Sequence, residues 1–214
     1  MTEALYLSGA TQGRVEVLSC EPDANGTYQV RLSATPFHPQ GGGQPSDVGF
    51  IDDVAVTHVA LQDGEIVHIC TEAIALGQAQ AIVDVEKRQL YSRLHSAGHL
   101  IGHVLQQAGW QPIKAQHWVE DAKVQFVPQE QAQTIELPEL ENWCNQYVTA
   151  GLITTVKQNA DGYREVSFGE FSAFPCGGTH VENLAEIEHI QIQKLQLKKG
   201  KLTVNYTIVS KSAA

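Results

Sequence analysis

The chain has 214 residues, long enough for one large domain or two small ones with a core that needs no disulfide staples. A composition of 43% hydrophobic and 18% charged residues excludes wholesale disorder and collagen-like repeats. Its 14 basic and 24 acidic residues give a formal net charge of −10, which argues against a broadly nucleic-acid-coating protein, since phosphate contacts need Lys and Arg.

The first 85 residues read as β structure. Segments 4–8, 14–18, 28–32, 54–61, 66–70 and 80–85 show strand-like alternation. The turn signals PDANG at 22–26, QDG at 62–64 and Leu76-Gly77 separate several of them. Many short strands with regular turns predict a small β-barrel-like domain. A Gly-rich, Pro-bracketed loop, PFHPQGGGQP at 36–45, interrupts it. Its glycines could expose N–H groups to an anion or allow close packing.

The texture changes near Asp84. Leu90, Leu94, Ala97, Ile101, Val104, Leu105 and Ala108 recur at steps of three and four, which predicts an amphipathic helix over 86–108, capped by Asp84 and ended by Gly109. A strand at 123–127 follows, then a helix at 137–150 with Leu140, Trp143, Cys144 and Tyr147 on one face. Short strands at 153–156 and 164–168 precede a closing hairpin, 187–197 with 201–209, around Lys199-Gly200. The fold class is therefore α+β: a β-barrel-like domain at 1–85, then an α+β domain with an antiparallel sheet at 86–214.

Location and charge follow from the same residues. No apolar run approaches the ~20 residues of a membrane span. The N-terminal MTEALYLSGA has neither the basic region nor the apolar core of a secretory leader. Four dispersed cysteines (20, 70, 144 and 176) are no disulfide scaffold, so a reduced, cytoplasmic protein is expected. Lys194, Lys198, Lys199, Lys201 and Lys211 lie in a C-terminal strip without acidic residues; the other residues carry nine basic groups against 24 acidic, a net −15. An acidic body with one basic strip can hold a nucleic acid at one edge; the alternative is a solvated turn.

Two short motifs carry chemistry. His95-Ser-Ala-Gly-His99 places two imidazoles one helical turn apart, able to share a metal ion. The zincin protease pattern needs Glu after the first His; here stands Ser96, so that reading fails at its general base. His103 continues the spacing and either extends the site or flanks it. Cys176-Gly-Gly-Thr-His180 adds a thiol and a third imidazole on a flexible Gly-Gly turn stiffened by Pro175. Each motif alone also reads as buried side chains. Together they supply four ligands of zinc-binding type, enough for a tetrahedron. Cys176 with His180 also has the elements of a nucleophile pair, but a spacing of four across a Gly-Gly turn suits chelation better.

HSAGH, FPCGGTH and the upstream FHPQGGGQPSD, in this order, resemble the free-standing alanyl-tRNA editing proteins of the AlaX family, medium-length subgroup, which are similar to the editing domains of alanyl- and threonyl-tRNA synthetases. The resemblance covers nearly the whole chain. It implies a zinc-dependent, trans-acting aminoacyl-tRNA deacylase that clears serine, and glycine as a further candidate, from the acceptor end of tRNA(Ala). It implies one zinc per chain on His95, His99, Cys176 and His180. Residues that tell serine from alanine are sought in the segment KAQHW at 114–118. Candidate substrate contacts are Gln44, Gln116 and Thr179, and Lys194, Lys198, Lys199 and Lys201 are the candidate tRNA contacts. Ester hydrolysis needs an activated water and a stabilised oxyanion; zinc either activates that water or holds the substrate. The chain is expected to act as a monomer. Two rival readings are a zinc-stabilised RNA-binding module without catalysis and a zinc hydrolase of a small ester or amide.

Overall fold

The computed structural model describes residues 2–159 and 163–210; Lys211 of the basic strip lies outside them. The chain divides into two compact units, the first ending at Leu90 and the second beginning at Tyr91.

In the first unit, β1 (Glu3–Ala4) pairs in parallel with β4 (Ala34–Thr35). The remaining strands are β2 (Gln12–Pro22), β3 (Tyr28–Leu32), β5 (Gly49–Ile51), β6 (Val54–Gln62), β7 (Glu65–Cys70) and β8 (Gly77–Val83). These six hydrogen-bond in a closed ring, in the order β2-β3-β7-β6-β5-β8. Alternation decides which side chains face inward: Val15 and Val17 of β2 are buried while Arg14, Glu16 and Leu18 are exposed. The β6–β7 hairpin turns on Asp63 (φ 50°) and Gly64 (φ 84°), the two positive φ values a tight two-residue turn requires. Segment 4–8 departs from expectation. Only Glu3–Ala4 is strand; Leu5–Ser8 forms a 3-10 turn closed by Gly9 in the left-handed conformation.

The Gly-rich loop is fastened at its base. The Arg88 guanidinium donates from Nε to both Asp47 carboxylate oxygens at 2.9 Å, from Nη2 to Asp47 again, and from Nη2 to the Pro36 carbonyl at 2.7 Å. Asp47 also accepts from the His38 N–H at 2.6 Å. The ion pair is buried, and these further hydrogen bonds offset the cost of taking both charges out of water. At the loop's tip Gly41 and Gln44 exchange backbone hydrogen bonds of 3.2 and 2.9 Å.

One buried polar group gives the first unit a pH dependence. His68 is fully buried; its Nδ1 lies 3.1 Å from the Val30 carbonyl and its Nε2 2.7 Å from the Thr35 hydroxyl. A carbonyl only accepts, so Nδ1 carries the proton and Nε2 accepts from Thr35. Burial pushes His68 down from 6.5 to about 4, against the opposing pull of the Val30 bond. Below pH 6.5 the unfolded chain takes up a proton that folded His68 refuses. Stability present above that pH is therefore lost as the pH falls toward 4, by up to about 3 kcal/mol. Denaturant unfolding between pH 7 and pH 4 should show this slope, and His68→Gln should flatten it; an unchanged slope in the variant would contradict the assignment.

In the second unit, α1 (Val85–Gln107), which begins in the first, carries the buried residues Leu94, Ala97, Leu100, Ile101, Val104 and Leu105. Asp84 caps it by accepting from the Lys87 N–H at 3.0 Å, and Gly109 (φ 83°) follows its end. β9 (Trp110–Gln116), β10 (Lys123–Pro128), β14 (Ile190–Lys198) and β15 (Lys201–Ile208) form an antiparallel sheet in the order β14-β15-β10-β9. Val124, Phe126, Ile190, Ile192, Leu202, Val204 and Tyr206 form its buried side. β9 is not among the strands expected from the sequence, because Pro112 and Lys114 break its alternation. α2 (Leu137–Ala150) buries Leu140, Cys144 and Val148, with Trp143 and Tyr147 only half-buried. Its Asn145 amide pairs with both backbone groups of Ile190, docking helix to sheet edge. A second antiparallel sheet holds β11 (Thr154–Gln158), β12 (Arg164–Phe168) and β13 (Phe174–Pro175), which leads into the CGGTH segment. β11 starts one residue later than the expected 153–156. No helix among the described residues is long and apolar enough to cross a membrane.

Candidate metal centre

α1 presents His95 and His99 one turn apart, and the loop after β13 presents Cys176 and His180. Among the described residues these four form a group whose ligand atoms all lie within 4.8 Å of one another. His95 Nε2 is 3.1 Å from His99 Nε2 and 3.6 Å from Cys176 Sγ, and Cys176 Sγ is 3.2 Å from His180 Nε2. A zinc tetrahedron with bonds of about 2.0 Å to nitrogen and 2.3 Å to sulfur has N···N edges of about 3.3 Å and N···S edges of about 3.5 Å. The donor set and its spacing therefore fit zinc. Burial pushes His99 well below its ordinary value, helped by His117, His103 and Arg164, which keeps it in the neutral form that a metal site requires. Burial pushes the Cys176 thiol up, while the Gly178 N–H and the Arg164 charge work the other way.

A second layer of groups orients these side chains. Ser96 Oγ accepts the Val181 N–H at 3.1 Å and lies 3.0 Å from His180 Nδ1, so the residue in the zincin glutamate's place ties the helix to the CGGTH loop. Arg164 Nη1 donates to the carbonyls of Cys176 (2.6 Å) and Gly178 (2.9 Å), pinning the turn. Thr179 shares a 2.7 Å hydrogen bond with Ser92. His117 stacks on His95, with ring centroids 4.5 Å apart. The Tyr206 hydroxyl donates to the Leu94 carbonyl at 2.9 Å and so accepts from His117 Nδ1 at 2.7 Å, which leaves Nε2 as the acceptor of that imidazole. His103 stands outside the ligand group. It stacks between Phe174 at 4.1 Å and Phe171 at 4.6 Å, flanking the site as an aromatic wall.

A cavity of about 260 Å³ reaches the centre from the side of His99, walled by His117, Phe174, Pro112, Ile113, Val124 and the small residues Gly98 and Gly102, among others. The two glycines differ. A Cβ on Gly98 would lie 2.3 Å from His117, so that position holds the ring against the helix; a Cβ on Gly102 would meet nothing within 4 Å. Of the candidate substrate contacts, Gln116 donates to Asp121 at 3.0 Å and Thr179 is held by Ser92, while Gln44 lies buried in the first unit's Gly-rich loop. The sequence gives no individual role to His117, Tyr206 or Arg164, although His117 sits inside the KAQHW segment singled out there.

Residues 164–203, which include Cys176 and His180, match the family described as the threonyl and alanyl tRNA synthetase second additional domain. The alanyl-tRNA editing protein AlaX-M of Methanosarcina acetivorans is 31% identical, over 94% of this chain and 96% of its own length. The chain belongs to the AlaX-M family of alanyl-tRNA editing proteins. The AlaX-M of Pyrococcus horikoshii is 29% identical, over 94% of this chain and 95% of its own. The alanine–tRNA ligase of Haloquadratum walsbyi is 28% identical over 89% of this chain but only 24% of the ligase. This AlaX-M family member thus matches alanyl-tRNA editing proteins over most of their length and one portion of a synthetase.

Proposed function

We propose that this protein is a trans-editing hydrolase that deacylates tRNA(Ala) mischarged with serine, with glycine as a further candidate, in a zinc-dependent reaction. The observation that carries the reading is the convergence of His95, His99, Cys176 and His180 beside a cavity open on the His99 side. When bound there, zinc would supply Lewis acidity toward the ester or its attacking water. The chain's own residues do the rest. His95, His99, Cys176 and His180 hold the metal, and Ser96 and Arg164 fix the orientation of the loop that bears two of them. The cavity receives the aminoacyl end of the tRNA. His117 Nε2 is an acceptor for a hydroxyl or ammonium group of the substrate, and Gln116 and Thr179 are further candidate contacts in the same unit. Lys194, Lys198, Lys199 and Lys201 contact the tRNA. Residues 1–85 serve as a barrel domain and 86–214 as the editing domain, working as a monomer in the cytoplasm, where tRNA is charged.

The cavity beside His99 favours this reading over a closed, purely structural zinc site. The test is Gly102→Leu, which adds a side chain to a space that holds none. Its zinc content should match the unaltered protein while seryl-tRNA(Ala) hydrolysis falls by at least tenfold. Full activity in the variant would remove the cavity from the substrate's path. Comparing seryl-tRNA(Ala) with a short seryl ester separates tRNA editing from small-ester hydrolysis, since only the former reading requires the tRNA to be much the better substrate.

A further inference from the structure

The four strands β9, β10, β14 and β15 contain five lysines and not one Asp or Glu, in a chain whose net charge is −10. Strand pairing shows how they are laid out. Directly paired residues project from the same side of a sheet. Lys194 pairs with Asn205, which pairs with Lys123. The next row on the same side is Gln196, Thr203 and Gln125, continuing to Lys114. Lys198 and Lys201 pair in the row beyond, beside the Lys199-Gly200 turn. Their sequence neighbours Val124, Leu202 and Val204 are buried on the other side, so these rows form the outer one. Successive rows lie two residues apart, about 6.8 Å. A groove of about 490 Å³ runs along this side, and every residue in its wall is Lys, Gln, Thr or Asn. Asp121 pairs with Lys123 and tempers that one cation.

We propose that the outer face of this sheet is a platform for the sugar–phosphate backbone of duplex RNA, with two lysine-bearing rows flanking a row of amides and a hydroxyl that ends at Lys114. The proposal rests on the reading of the protein as a tRNA-editing enzyme and extends it from a lysine turn to a whole face that includes Lys114 and Lys123. Lysines neutralise phosphates; Gln, Asn and Thr donate to phosphate oxygens and exchange hydrogen bonds with 2′-hydroxyls. The groove has no aromatic or aliphatic side chain to insert into a lipid interface, which sets the face apart from a membrane-binding surface. The acidic remainder of the chain repels RNA, so binding concentrates here.

The test uses the full-length protein and a deacylated tRNA(Ala) in filter binding at several salt concentrations. The variant K114Q/K123Q/K194Q, which spares the turn, is compared with R14Q/K87Q/K157Q, which removes the same charge elsewhere. Zinc content and thermal unfolding confirm that both are intact. The face variant should bind more weakly, and its slope of log affinity against log salt should fall by about 2 to 3, at about 0.7–0.9 for each phosphate left without its lysine. The control should retain the slope of the unaltered protein. A face variant with unchanged slope, or a control whose slope falls as much, would overturn the proposal. So would binding to vesicles rich in anionic lipid with none to tRNA. If the unaltered protein binds tRNA through this face yet fails to hydrolyse seryl-tRNA(Ala), the editing reading falls and the RNA platform stands.

Discussion

Protein carrying Cys176→Ala and His180→Ala is expected to purify with almost no zinc, against about one equivalent for the unaltered chain. The two substitutions remove the whole contribution of the loop after β13 and leave only the His95–His99 pair on α1. Two imidazoles without a thiolate do not complete a tetrahedral site. Hydrolysis of seryl-tRNA(Ala) should fall more than a hundredfold with the metal. Ser96→Ala is a graded companion. It takes away the hydrogen bond at His180 Nδ1 and the acceptor of the Val181 N–H while sparing all four ligands. Losing an outer partner of a metal ligand typically weakens metal binding 10- to 100-fold. Elemental analysis and competition with a chromogenic chelator measure both variants. A double variant that keeps a full equivalent would sink the ligand assignment.

The second large effect is discrimination. Seryl-tRNA(Ala) should be hydrolysed on the order of 10⁴-fold faster than correctly charged alanyl-tRNA(Ala). The physical reason is that a site built to hydrogen-bond a substrate hydroxyl leaves its own polar groups unpaired when that hydroxyl is missing. An apolar pocket alone would distinguish the two amino acids poorly. His117 offers a polar partner beside the cavity, because its Nδ1–H is already donated to the Tyr206 oxygen and Nε2 is left as an acceptor. His117→Phe keeps a ring stacked on His95 and should compress the ratio chiefly by slowing the seryl substrate. Equal kcat/KM for the seryl and alanyl substrates in the unaltered protein would refute an editing role while leaving hydrolase chemistry open.

The His/Cys cluster can be read from the chain because its spacing is local. His95 and His99 are joined by one helical turn and Cys176 and His180 by one tight loop, so residue types and spacing are enough to nominate them. The orienting layer depends on distant partners. Arg164 acts on the loop from β12, and Tyr206 reaches His117 from β15, a separation of 89 residues that no spacing rule spans. Strand β9 is hidden by Pro112 and Lys114, which interrupt the alternation in a strand at the sheet's edge. The stretch 4–8 looks like a strand but closes on Gly9 as a 3-10 turn, a choice made by one left-handed residue. The basic hairpin is legible as a run of lysines, whereas its continuation to Lys123 and Lys114 exists only once β10 and β9 are placed beside it.

The four-ligand cluster is central to the proposed ester hydrolysis on tRNA. The most direct measurement is the rate of seryl-tRNA(Ala) hydrolysis by protein as purified, after chelation, and after zinc is restored, with circular dichroism recorded alongside. Chelation should abolish hydrolysis while the secondary structure persists, and one equivalent of zinc should bring the rate back. Full-rate hydrolysis by protein shown to be metal-free would contradict the role assigned to the cluster.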